Sequence, residues 1–256
     1  MPQLSYPQNQ SEAFAGLIAD DGFHRIESMQ ALEAISFGFG IARSQANPTS
    51  ACRLAHVNNV VILDDAGTFT AGDIVATVNG TDVTESFDTS KDVTMTALAA
   101  SIQALATVLT ATYSSVAHTI TVVAANDVEL TITMDVTGIT GNMTITSITG
   151  TSSDVMRGIA VHSQIRNRTL PVAGSSSFSA TGYVQYDAVS VGRQIVVWAE
   201  VADAVVENAD VYVIITGADK GKLTDDSSSP NVQIATAKFR SATSDAGIAK
   251  VEINIP

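Results

Sequence analysis

Residues 192–213, GRQIVVWAEVADAVVENADVYV, do most to limit how this chain can fold. Ile195, Val196 and Val197 lead into Trp198, the sequence alternates through Glu200, Val201 and Ala202, and a second run follows at Val211, Tyr212 and Val213. β-Branched side chains lose rotamer freedom in a helix and pack well on a pleated surface, so both runs favour strands. Glu207, Asn208, Ala209 and Asp210 form a polar turn between them, and the whole is predicted to be a strand–loop–strand unit. Trp198 is the only tryptophan. It is expected in the core, because so large a ring brings much area to bury. The pattern specifies a β domain and no activity.

Composition narrows the function classes. A chain of 256 residues is long enough for one large β domain or two small ones. Its formal net charge of -13 repels phosphate backbones, and its lysines and arginines are scattered, so no nucleic-acid partner is expected. Arg166, Asn167 and Arg168 make the one local basic cluster. Cys52 is the single cysteine, which rules out an intramolecular disulfide and reads as a small buried residue. His56 lies four residues on, without the elbow or glycine motif that an activated nucleophile needs. The first residues, MPQLSYPQNQSEAFAG, lack a basic segment followed by an apolar one, and no apolar run reaches membrane-span length. Synthesis in a cytoplasm and no membrane partner are expected. Aromatics make up 5% of residues, few for a sugar-binding or base-stacking surface, whereas Thr, Ala, Val and Ser favour sheets.

Along the chain, residues 1–12, with Pro2 and Pro7, read as an N-terminal arm. In residues 34–42 Ile35, Phe37, Phe39 and Ile41 alternate onto one face, and Gly38 and Gly40 leave the other bare enough for a second backbone to approach. Residues 60–63, VVIL, form a buried-type strand. A different pattern then begins. Residues 73–78 and 82–87 flank Asn79-Gly80, a strong hairpin signal. Thr94 is placed to cap a helix running to about residue 109, with Leu98, Ile102, Leu105 and Leu109 on one face. Strands follow at 119–125, 130–134 and 143–148, with a turn at Asn126-Asp127. Strand–strand–helix–strand–strand–strand describes a small α+β module with one helix on a sheet. Nearer the C-terminus, Asp225 and Asp226 sit in a long polar loop and supply too few oxygens for a calcium site.

Catalytic constellations are missing from the sequence. No Gly-x-Ser-x-Gly, P-loop, His-Glu-x-x-His, EF-hand or paired-cysteine motif occurs, and His24, His56, His118 and His162 are not at metal-ligand spacing. No catalytic, cofactor-binding or metal residue is assigned, and an enzyme is not expected.

Several landmarks occur in a familiar order. They are Phe14-Ala15-Gly16-Leu17-Ile18-Ala19 and Ala34-Ile35-Ser36-Phe37-Gly38, then Gly158-Ile159-Ala160, and then the stretch from Gly192. Ala237-Lys238-Phe239-Arg240 and the run Ala249-Lys250-Val251-Glu252-Ile253-Asn254-Ile255 close the series. Over about residues 12–63 and 156–256 the chain resembles the cement, or decoration, proteins of tailed-bacteriophage capsids. The resemblance implies a mainly β fold, a sandwich- or barrel-like framework of residues 13–63 and 156–256. It also implies a structural virion protein without cofactors, sited on the capsid exterior. Such a protein bridges major capsid protein subunits and stabilises the mature shell, and it is a homo-oligomer, a trimer in preference to a dimer. Phe14, Leu17, Ile18, Phe37 and Phe39 are the candidate capsid or intersubunit contacts. In such proteins the 60–63 strand is expected to run soon into the Gly-Ile-Ala strand, which here comes about ninety residues later. Residues 64–155 are therefore expected to be an inserted α+β module projecting outward. The alternative is a tail- or fibre-associated protein whose module recognises a host surface ligand.

Overall fold

The computed structural model describes residues 15–19, 24–162, 182–228 and 230–256. The chain first lays down β1 (Arg25–Ala31), β2 (Ile35–Ser36), β3 (Gly40–Arg43) and β4 (Ala51–Arg53). It continues through β5 (Asn59–Asp64), β6 (Phe69–Val78), β7 (Thr81–Ser86), helix α1 (Lys91–Gln103), β8 (Val108–Ser114), β9 (Thr119–Ala124), β10 (Ile132–Asp135), β11 (Ile139–Gly141) and β12 (Ile145–Thr151). It then returns as β13 (Met156–Val161), β14 (Gly182–Tyr183), β15 (Ala188–Val201), β16 (Asp210–Val213), β17 (Leu223–Thr224), β18 (Val232–Phe239) and β19 (Gly247–Asn254).

The mainly β expectation holds, and β15 is its axis. The first half of β15 pairs with β1 and β13, and its second half pairs with β19 from Gln194↔Asn254 to Val201↔Gly247. The pairings β1–β4–β3–β13–β15 return to β1 and close a five-stranded barrel. A second circuit, β15–β17–β16–β18–β19, shares the same long strand. One strand can serve both because its side chains alternate: Val189, Val191, Ile195, Val197, Ala199 and Val201 are buried, with Gly192 and Arg193 marking the crossing from one circuit to the other.

Two expectations for this stretch are corrected. β15 and β16 do not form a hairpin, since β16 pairs with β17 and β18. Both edges of the second half of β15 are already taken, one by β19 and the other by residues 16–19, where Gly16 N–H donates to Trp198 O (2.7 Å) and Trp198 N–H to Leu17 O (2.9 Å). Trp198 is not in the core either. It falls on the alternate face from Val197 and Ala199, half-buried, with Lys250 Nζ 5.0 Å from its ring centroid.

Residues 59–151 build two further four-stranded sheets. In one, β5 lies between β12 and β9, and β8 follows β9; in the other, β6 pairs with β7, β10 and β11. The strand expected to end the first framework segment is therefore β5 of this second unit, and the chain leaves the nine-stranded sheet after Arg53. β5 and β12, by which it arrives and departs, are antiparallel neighbours, Asn59 opposite Thr151. Asn79 and Gly80 carry φ of 49° and 80°, the double positive turn that joins β6 to β7. The helix begins earlier than expected, because Ser90 and not Thr94 is its cap: Ser90 Oγ accepts from Val93 N–H at 3.3 Å. It also ends earlier, at Gln103, and Leu109 falls on β8, 60% exposed. The Val-, Thr- and Tyr-bearing run 108–114 is claimed by pairing with β9, which overrides the helical spacing. Met95, Leu98, Ala99 and Ile102 of α1 are buried in one core cluster with Val60, Ile62, Ile74, Val78, Ile120 and Val122, and that cluster is continuous with the second circuit of the framework. The barrel has its own cluster, including Met29, Ile35, Ile41, Cys52 and Tyr183.

Candidate functional site

Two stretches singled out from sequence meet on β15. Residues 15–19 run antiparallel along its edge as a strap, with Ile18 bridged to Val197 and Ala19 N–H donating to Val196 O at 2.8 Å. The turn at Phe37 and Gly38 packs beside the strap: a Cβ on Gly38 would lie 2.9 Å from Ala15 Cβ and 3.1 Å from Glu200 N, and Gly38 itself has φ of 79°. The bare glycine face anticipated from sequence is met by backbone only at Gly38: residues 34–42 break into β2, a turn and β3 instead of alternating as one strand, and Gly40 faces the side chains of Val213 and Leu223. Gly38 N–H donates to Ala160 O (2.8 Å) and His162 N–H to Gly16 O (2.8 Å), which ties strap, turn and β13 together.

The five candidate contacts separate in this setting. Leu17 and Ile18 are half-buried on the strap, Ile18 leaning on the core. Phe37 is 5% exposed and belongs to the chain's own core, 5.1 Å from Tyr183 ring to ring and 4.7 Å from His162. Tyr183 O–H donates to Val161 O at 2.5 Å and holds that cluster against β13. Phe39 is half-buried against the barrel cluster and lies over Gly221. Phe14 and the basic cluster at residues 166–168 lie outside the described residues.

A second assembly, which the sequence did not signal, sits where the two sheet systems join. Arg53 is 1% exposed. Its Nη1 and Nη2 donate to the two Asp154 carboxylate oxygens at 2.8 Å each, and its Nε donates to Asp127 Oδ1 at 2.9 Å. Asp154 also accepts from His56 N–H (2.8 Å) and Asn58 Nδ2 (2.9 Å). Asp127, on the β9–β10 turn with φ of 61°, reaches back to accept from Ser44 Oγ (2.6 Å) and the Gln45 N–H (2.7 Å). Nearby, Lys220 pairs with Glu129 at 2.7 Å, and Glu33 accepts from Leu54 N–H (2.8 Å) and contacts His56 Nε2 at 3.0 Å. Burial opposes the charge on Asp127, but the hydrogen bonds from Ser44, Arg53, Gln45 and Ala46 outweigh it and hold the carboxyl below its usual range. Glu33 is lowered in the same way, with burial opposed by His56. Burial works against the Arg53 charge too, and Asp154 and Asp127 more than restore it. Each charge has its partners and no nucleophile is presented to solvent. The arrangement fastens strands together.

The remaining polar candidates are likewise occupied. Asp225 accepts from Val206 N–H (3.0 Å) and Asp226 from Ser228 N–H (2.9 Å). Among the described residues no group of three or more His, Cys, Asp or Glu is placed to hold a metal ion. Nor is any helix among them long and apolar enough to cross a membrane.

Comparison with known proteins agrees with a structural role. A family model described as "Structural cement protein (E217 gp24/Pam3 gp6)" matches residues 104–254, which takes in β8–β12 as well as β13–β19. No curated protein matches the sequence. A chain from the solved capsid of Myoviridae phage XM1 is similar at 12% identity with a TM-score of 0.43, over 98% of this chain and 95% of that one. The matched stretch covers more than half of the 256 residues, and the chain belongs to the phage structural cement protein family.

Proposed function

We propose that the protein binds the outer surface of a phage capsid and bridges neighbouring major capsid protein subunits, stabilising the mature shell. The observation that carries this reading is the family match across residues 104–254, which includes β15 and its partner β19. The geometry supports it. The strap is tied to β15 by backbone hydrogen bonds, so Leu17 and Ile18 are held fixed on the framework; the N-terminal arm expected at residues 1–12 lies outside the described residues. We assign the capsid or intersubunit contact to the arm, Phe14, Leu17, Ile18 and Phe39; Phe37, being buried, serves the chain's own core. Cementing needs no catalysis. A standard interface buries roughly 1,600 Å², and many copies on one lattice raise the effective affinity. A strand added to a neighbour's open edge is the mode proposed for the arm. The net charge of -13 suits an exterior position away from packaged DNA. The assembly proposed is a trimer, the module of residues 64–155 projects outward, and synthesis is in the host cytoplasm.

The test is co-sedimentation with shells of the encoding phage that were assembled without this protein. Full-length protein is expected to pellet with expanded shells, and the Leu17→Asp variant and a chain lacking residues 1–12 to pellet less, with unchanged far-UV circular dichroism. Full binding by both variants sinks the assigned contact, and no binding by the full chain sinks the function. Light scattering on the eluting protein reads the trimer directly; a monomer or dimer mass contradicts it.

A further inference from the structure

The two sheets of residues 59–151 turn their buried side chains into a common core, and their outward faces differ sharply. On the β6 sheet the outward rows carry Asp73, Asp82 and Asp135, all exposed. On the β5 sheet the central outward row reads Thr149–Val61–Thr121–Thr112 across β12, β5, β9 and β8. The rows on either side, centred on Asn59 and Leu63, are equally free of Asp, Glu, Lys and Arg. The chain as a whole is 15% charged, so at its own average three rows of four would hold about two charges. This face has none, in a chain with 26 acidic residues. Val61 and Leu63 are half-buried on it and join neither core cluster of the described residues.

We infer that this face is a docking surface for the same face of a second copy. The occupant follows from charge. Two chains of net charge -13 repel each other, and at physiological salt that repulsion is felt over about 8 Å. Copies meet most readily through a patch that brings no carboxylates together and strips water from none. A mosaic of threonine and valine is self-complementary, because methyl groups interdigitate and the hydroxyls can pair across a two-fold axis, with the sheets stacked about 10 Å apart. From strand spacing and rise the face measures roughly 400 Å², about half of the ~800 Å² per partner in a stable complex. The contact is accordingly weak in dilute solution and strengthens where copies stand side by side. It is read on the free protein, so its failure and the failure of capsid binding are separate results.

Sedimentation equilibrium from micromolar to near-millimolar concentration tests it. The weight-average mass is expected to approach twice that of the unit present at low concentration, and Val61→Lys to abolish the doubling without changing the far-UV spectrum. A second readout covers a Lys variant that fails to fold. Thr121→Cys is expected to give a covalent pair under mild oxidation at least tenfold faster than Thr84→Cys, which sits on the aspartate-bearing face. A mass independent of concentration, a doubling that survives Val61→Lys in folded protein, or equal cross-linking at the two positions overturns the inference.

Discussion

Arg53 shows how a single side chain can join two parts of a fold. Its guanidinium is buried between Asp154 and Asp127, and removing it leaves a carboxylate buried without a countercharge. Arg53→Ala is expected to lower unfolding free energy by about 3–5 kcal/mol, as read by urea denaturation. The pH dependence follows from Asp127. Its folded pKa is below the ordinary value, so its contribution is fully present above about pH 4 and is lost as pH falls through the folded value. Asp127→Asn is expected to flatten that acid-side loss, measured as melting temperature against pH. Cys52 makes a third expectation: burial, with Glu27 and Glu33 nearby, pushes its thiol up to about 12. It should therefore resist a thiol reagent in the native state and react on unfolding. At this scale legibility was uneven. The burial of Cys52 could be read from residue type. Trp198 was misplaced because ring size was weighed above the period of two that sets its face. The Arg53 cluster was illegible, since its partners lie 74 and 101 residues away and nothing local marks them.

Strands, turns and the helix were more legible where local chemistry decides. Asn79-Gly80 gave its hairpin, and the spacing of Leu98 and Ile102 gave the helix. The boundaries moved because Ser90 competes with Thr94 for the cap and β9 claims residues 108–114 as a strand. The β15–β16 unit failed as a hairpin for a non-local reason, the strap having occupied the free edge of β15. That strap depends on Gly38. A β-branched side chain there meets Ala15 Cβ, Glu200 N and Ala199 Cα, all within 3.2 Å, at a φ of 79°. Gly38→Val is expected to cost about 1–3 kcal/mol and to free the strap, seen as faster hydrogen exchange at Gly16, Ala19 and Trp198 with the barrel amides still protected. Unchanged exchange at those three amides contradicts this role for the glycine.

For the whole molecule, the β class and the family were legible, because each rests on composition or on landmarks in order. The sheets place the departure from the framework after Arg53, and the family match begins at Ala104 inside the 59–151 unit. We propose that this unit remains separable, since β5 and β12 bring its ends together. Replacing residues 58–153 with a short Gly–Ser bridge is expected to leave a β-rich framework that still pellets with shells, though less stable because the core is shared. A chain that fails to fold rules out separability. The central claim, that the protein holds a shell together, is tested most directly by heating capsids assembled without it while following dye access to the packaged DNA. With purified protein added, DNA release is expected to move to higher temperature and to saturate once the lattice sites are filled. Release at the same temperature with and without the protein would contradict the account.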